Sequence, residues 1–372
     1  MAENKIGSGR NCGLDLLKII AMFCIVLFHF GDHGTIKIAY DMPLTLNWIA
    51  LAVTSPFGAI GNCIFMFITG YFLCTKSFKT RRLTLLWLQV LFYSIVCRII
   101  TIAVGLDPLG IKILIKTLLP VAYQRYWYFS AYVIMVIASP LLNLIISRLS
   151  RRKHFWLCVT FLVLFSVIPT FAKGTWLGGK IGNENFLKIF ITLYFVAAYI
   201  RFYGIKIIKK HSTYLLIALG LIAAEILSIF VIKAACHLLH HDIYLFYFTW
   251  GMDKIQIIAA SIAVFMWFKG LNIKENKLLS SISASTFSIY LLHVGCWRYV
   301  FGVLFNNETT YNTPWMIPQM LLCAVSVCIV AITVDKIRIY LLEKPLIKLL
   351  DKIPLGQKID GLFGKFESPE RT

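Results

Sequence analysis

Ten apolar stretches, each long enough to cross a bilayer, take up most of this 372-residue chain. They fall at about 13–31, 47–74, 83–105, 127–147, 154–172, 186–200, 212–232, 244–268, 285–304 and 315–340, with short polar segments between them. A helix needs ~20 apolar residues to span hydrocarbon. Only 15% of the residues are charged, against the ~25% a soluble domain carries. A soluble fold, or an appended soluble domain, is therefore excluded by composition. A transmembrane β-barrel is excluded by pattern, because its strands alternate apolar and polar residues over ~10 positions and these runs are continuous. The expected fold class is an all-α polytopic membrane protein with about ten transmembrane helices. Residues 1–12 form an N-terminal segment, 13–342 the transmembrane domain and 343–372 a basic, amphipathic tail.

The formal net charge of +20 points at first to nucleic acid. Its distribution does not: with the N-terminus placed in the cytoplasm, 26 of the 37 lysines and arginines fall in segments on that side. That is the positive-inside bias, which predicts cytoplasmic termini and attraction to anionic membrane lipid, with no nucleic-acid partner. No small-residue cleavage site follows the first stretch, so it reads as an uncleaved helix. The ten cysteines are scattered through apolar runs with no C-x-x-C, which predicts neither disulfides nor a metal site. The loop at about 106–126 holds a short amphipathic segment, Ile111–Leu119, followed by Tyr123, Tyr126, Trp127 and Tyr128 as an interfacial aromatic belt.

Ionisable side chains inside apolar runs are costly, and mark sites by default. His29 lies eleven residues beyond Lys18, ~16 Å deeper along a helix. Arg98, Arg125 with Trp127, His293 and Arg298 fall at a similar depth on three other spans. Glu225, Asp253 and Lys254 are further candidates near the outer ends of spans seven and eight. His29, Asp32 and His33 stand at i, i+3 and i+4, the spacing for a general-base dyad or a metal site. Gly31 and Gly34 predict that the helix ends there, against both geometries. His237, His240, His241 and Asp242 read as a solvated outer loop.

Leu14-Asp15-Leu16-Leu17-Lys18-Ile19-Ile20-Ala21-Met22, ending at His29, resembles the opening of the acyltransferase family 3 membrane proteins. Members carry a basic residue, ten intervening residues and a histidine in the first helix; here these are Lys18 and His29. Phe65-Met66-Phe67-Ile68-Thr69-Gly70-Tyr71-Phe72-Leu73 is similar to the family's second helix. Trp127-Tyr128-Phe129 through Pro140-Leu141 is similar to the helix after its outer loop, and Ser285 through Tyr290-Leu291-Leu292-His293 to its late Tyr-Leu-x-His signature. Many members have arginine where Lys18 stands, and an Arg-x-x-Arg at the start of the third helix, where Lys79 and Arg82 approximate the spacing.

The resemblance implies transfer of an acyl group, usually acetyl, from cytoplasmic acyl-coenzyme A to a hydroxyl of a surface polysaccharide, lipopolysaccharide or lipid-linked glycan, in the bacterial cytoplasmic membrane. His29 inherits the catalytic role. Such a reaction needs a base for the alcohol proton and positive charge for the oxyanion. His29 is the expected base, with Arg98, Arg125, Trp127, His293 and Arg298 at the oxyanion or the acceptor. Lys18, Lys79, Arg81 and Arg82, with Lys76 beside them, are the expected contacts to the phosphates of the acyl donor, acetyl-coenzyme A. The outer aromatics Tyr123, Tyr126, Trp127 and Tyr128 are expected to stack on sugar. The competing class is a transporter or flippase for a polar metabolite or lipid-linked sugar, since intramembrane basic residues suit that class too; a small-ligand sensor is a third.

Overall fold

The computed structural model describes residues 10–172, 186–350 and 360–361. The first nine residues and most of the tail after 350 lie outside the described residues. Helix α1 (Cys12–Asp32) starts where the Asn11 side chain accepts the Leu14 amide at 2.9 Å. The second expected span divides at Ser55-Pro56 into α2 (Leu46–Thr54) and α3 (Phe57–Leu73), since proline lacks the N–H and clashes with the preceding turn. Then come α4 (Thr80–Ala103), α5 (Ile111–Leu118) and α6 (Trp127–Arg148). The short amphipathic α5 is where the sequence places it: Ile111, Leu114, Ile115 and Leu118 are exposed and Thr117 is buried. α7 (Arg151–Leu162) runs through a π turn into α8 (Ile168–Phe171). α9 (Phe186–Tyr203), α10 (His211–Leu239), α11 (Ile255–Lys269), α12 (Lys277–Ala284), α13 (Thr286–Gly295) and α14 (Trp297–Tyr299) follow. A π turn also follows α14, and α15 (Met316–Arg338) passes through a third into α16 (Lys344–Leu350).

Among the described residues there is no strand, and nine helices, counting α2–α3, α7–α8, α12–α13 and α15–α16 as single spans, are long and apolar enough to cross a membrane. The tenth apolar helix, α11, has 15 residues, so the span expected at 244–268 is shorter than its hydropathy. Residues 244–254 fold as turns instead. Gly251 takes φ +144°, a conformation that favours glycine, and α11 begins where the Thr170 hydroxyl accepts the Ile255 amide at 3.0 Å. Leu245, Phe246 and Phe248 make residues 244–250 read as apolar, but the tyrosine and tryptophan rings between them favour the membrane–water boundary.

Two apolar clusters form the core, and α1 runs through both. Leu14, Leu17 and Ala21 pack in the first with Phe67, Phe190, Tyr194 and Phe265. Ile25, Val26 and Phe30 pack in the second with Trp48, Tyr93, Phe301 and Met316. α3 approaches α1 closely because Gly61 has no side chain: a Cβ there would lie 2.6 Å from Ile25 Cγ1, the small-residue packing typical of membrane helices. At one end of the bundle Asn11 bonds the Lys269 carbonyl at 3.0 Å, and Asp15 accepts from Ser283 at 2.7 Å. This end carries Arg10, Lys18 and the exposed Lys76, Lys79, Arg81 and Arg82, and is called the basic face below. α1 therefore delivers His29 to the opposite half of the bundle, inside it.

Candidate active site

α1 does not stop at Gly31. It stays helical through Asp32, and the His33 amide closes the last turn on the His29 carbonyl at 2.8 Å. Gly34 serves close packing, since a Cβ there would lie 2.4 Å from Asn307 Nδ2. On the unbroken helix His29, Asp32 and His33 share a face, and their ligand atoms lie within 4.8 Å of one another. The two imidazoles stack at 4.6 Å between centroids, and Asp32 sits 3.6 Å from His33 Nδ1. His33 lies just beyond the span; burial pushes its imidazole below the ordinary value, against the opposing pull of Asp32. The three groups have the donor set of a divalent-metal site, although the sequence predicts none.

His29 faces protein, not lipid. Its Nδ1 lies 2.9 Å from Nε2 of His293, near the end of α13, 264 residues along the chain. His293 is fully buried, whereas His29 keeps partial access. His293 Nδ1 is 2.6 Å from the Ile289 carbonyl one turn back. A carbonyl only accepts, so His293 carries its proton on Nδ1 and, when neutral, presents a bare Nε2. His29 must then donate from Nδ1, leaving its own Nε2 with a free lone pair. One backbone carbonyl thus sets the tautomer of both rings. It also leaves neutral His293 with no N–H to offer an oxyanion.

The three predicted arginines do converge. Arg98 on α4 pairs with Asp107 and donates to Thr117 Oγ1 at 3.1 Å. Arg298 on α14 reaches the same carboxylate at 3.1 Å. Arg125 donates to Ser94 and Thr117 at 3.3 Å each, and to the Gly295 carbonyl at 3.5 Å. The sequence reading missed Asp107. The only available signal was a single acidic residue in the loop after the Arg98 span, and nothing local says which cations it meets. Partial burial opposes ionisation of Asp107, but the Thr101 hydroxyl and the three guanidiniums outweigh it and hold the carboxyl below its usual range. Trp297, next to Arg298, lies 5.0 Å from the His33 ring, which links this cluster to the histidines.

Other expected residues lie elsewhere. Trp127 stacks on Phe186 of α9 at 4.1 Å. Tyr126 is fully buried, Trp127 and Tyr128 are half-buried with Tyr128 edge-on to Phe190, and Tyr123 is exposed, so the expected outer belt is partly drawn inward. The reason is that α6 starts at Trp127, and its first turn is enclosed by α4, α9 and α13 before it can face the boundary. On the basic face Lys18 bonds Asp15 at 2.9 Å, a carboxylate it shares with Arg10. Lys79 precedes α4, and Arg81 and Arg82 stand in its first turn, where Asp360 of the tail accepts the Thr80 amide at 2.7 Å. Lys254 donates to the Pro169 carbonyl at 3.2 Å and lies over the Tyr247 ring. Glu225 is buried on α10. His237, His240, His241 and Asp242 are exposed as expected, but His237 stands in the last turn of α10 and His240 caps it, so that only His241 and Asp242 lie in the loop.

Two imidazoles, one of them anchored by a backbone carbonyl, thus meet inside a polytopic helical bundle. The acyltransferase domain profile of family 3 matches residues 11–333, nearly all of that bundle. The chain belongs to acyltransferase family 3; it is a multi-pass integral membrane protein, and acyl transfer is its class of reaction. No curated protein and no solved structure matches the chain.

Proposed function

We propose that the protein transfers an acyl group, acetyl, from coenzyme A thioester to a hydroxyl of a surface or lipid-linked carbohydrate in the bacterial cytoplasmic membrane. The basic face is cytoplasmic in this reading and receives the donor; the acceptor arrives from the other side. The observation that carries it is the chain of contacts from the Ile289 carbonyl through His293 to His29, which leaves His29 Nε2 with a free lone pair in the last turn of α1.

The acceptor hydroxyl gives its proton to His29 Nε2 as its oxygen attacks the thioester carbonyl. The carbon–sulfur bond then breaks, the thiolate leaves with the proton from His29, and an ester and free coenzyme A result. Positive charge on the imidazolium is stabilised by its Nδ1–H to His293. Arg125 supports the developing oxyanion: its bonds among the described residues go to neutral oxygens, whereas Arg98 and Arg298 share Asp107. His293 positions His29 in this scheme rather than binding acceptor. Lys79, Arg81 and Arg82 meet donor phosphates, and Lys18 adds charge only in part, being paired with Asp15.

The test is His29→Ala. Acetylation of the host glycan, read by mass spectrometry, should vanish while the protein remains at normal abundance in the membrane. Retained acetylation removes His29 from the chemistry, and counterflow of a sugar without thioester cleavage would favour transport.

A further inference from the structure

The segment 244–254, which folds as turns where a span is expected, lines a pocket that opens to the surface beside the end of α1. Its walls are Phe28, Gly31 and Asp32 of α1, Leu51 and Ser55 at the end of α2, Lys37 and Ile38, and Tyr244, Phe246 and Trp250 from the turn segment. The three aromatic rings make a corner, with Tyr244 set edge-on to Phe246 at 5.9 Å and to Trp250 at 6.3 Å. The corner is held in place. Ser55 Oγ bonds Thr249 Oγ1 at 2.8 Å, Gln256 Nε2 donates to the Phe248 carbonyl at 2.9 Å, and the Tyr247 hydroxyl donates to the Thr170 carbonyl at 3.0 Å. The charged residues among its walls are Asp32 and Lys37, and the Lys37 ammonium donates to the Gly31 carbonyl at 3.4 Å.

We propose that this pocket seats a pyranose ring of the acceptor, with its C–H face on Tyr244 and Trp250 and its hydroxyls on Asp32 and Lys37. The inference rests on the acyl-transfer reading above and names where that reaction's acceptor binds. A pyranose has an apolar face made of axial C–H groups and a rim of hydroxyls. A pocket with aromatic walls and a few charged groups on one side is complementary to that division. The carboxylate accepts from hydroxyls in charge-assisted bonds. The register fits the chemistry: Asp32 is one turn beyond His29, and their ligand atoms lie within 4.8 Å. His29 itself does not line the pocket, so Asp32, which borders both, is the residue that directs a neighbouring sugar hydroxyl toward the imidazole. These rings replace Tyr126, which is buried in the core, and Trp127 and Tyr128, which are half-buried and pack against it.

The test uses the full-length protein in nanodiscs and two independent readouts. Saturation-transfer NMR measures binding of methyl glucoside, methyl galactoside, methyl mannoside and N-acetylglucosamine, with sorbitol as an acyclic polyol of the same polarity. At least one pyranoside should receive saturation on its C–H face and sorbitol none. Trp250→Ala and Asp32→Asn should each weaken that binding about tenfold or more, and Trp250→Tyr should restore most of it. Binding equal in Trp250→Ala and wild type, or the absence of any pyranoside binding, overturns the subsite. Release of free thiol from acetyl-coenzyme A, compared between wild type and His29→Ala, reads the chemistry separately. His29-dependent release with pyranoside binding indifferent to Trp250 rejects the subsite and keeps acyl transfer; Trp250-dependent binding without thiol release keeps the sugar site and rejects acyl transfer.

Discussion

Replacing His293 by alanine tests whether His29 works alone or as the outer half of a pair. The substitution removes the acceptor 2.9 Å from His29 Nδ1, and with it the carbonyl-anchored constraint on the tautomer. In the ground state the lost bond joins two neutral rings. In the transition state His29 carries the alcohol's proton, and the same bond has a charged donor, worth about 1.5–3 kcal/mol. Only the part that grows in the transition state slows the reaction. The neutral bond of the ground state is worth about 0.5–1.5 kcal/mol, so the growth is about 1–1.5 kcal/mol, and at ~1.36 kcal/mol per decade kcat should fall about five- to tenfold. The KM for acetyl-coenzyme A should stay as it is, because His293 is fully buried at the far end of α13 from the basic face. Thiol release by purified protein in nanodiscs supplies both constants. Size-exclusion elution and melting temperature show whether the variant is folded, since truncating a fully buried side chain also costs packing. His293→Gln, whose amide oxygen accepts from Nδ1–H, should recover part of the rate. A folded His293→Ala protein with kcat within about twofold of wild type would refute the pairing.

Arg81→Ala with Arg82→Ala removes two exposed cations from the first turn of α4. Acetyl-coenzyme A binding should weaken about three- to tenfold, solvent screening limiting each contact, with the rate at saturating donor retained; unchanged affinity by equilibrium dialysis would move the donor site elsewhere. Burial holds His33 below its ordinary value, so the unfolded chain binds a proton that the folded one does not as pH falls below about 6.5. This stability is present above that pH and lost on acidification, and His33→Asn should make the melting temperature less sensitive between about pH 7.5 and about pH 5.5, one unit either side of the ordinary histidine midpoint. His29, Asp32 and His33 have metal-ligand geometry, yet a base needs its lone pair. Thioester cleavage should survive EDTA, and activity lost to EDTA and restored by zinc would turn the triplet into a metal centre.

The basic residues at one depth were visible in the sequence because a charge in an apolar run stands out locally. Their partners were not. Asp107 lies in an ordinary polar loop, and only the packing of α4, α5 and α14 makes it the common acceptor of Arg98 and Arg298. His293 read as one more cation at the oxyanion, since nothing in a Tyr-Leu-Leu-His run says that its two nitrogens are taken by Ile289 and His29. The turn segment 244–254 read as a span because hydropathy counts Leu245, Phe246 and Phe248 as apolar wherever they lie.

The sequence by itself determined that the chain is a helical membrane bundle, where most of its helices run, which of its ends is basic, and that an imidazole rides deep on the first of them. These follow from the cost of placing each residue in hydrocarbon, a sum over neighbours along the chain. Tertiary structure alone decided which nitrogen of His29 is free, which arginines are already neutralised and which aromatics face an open pocket. Each of those depends on the rotation and contact of helices far apart in sequence, as with the 264 residues between the two histidines, and hydrophobic patterning holds no information about such pairings.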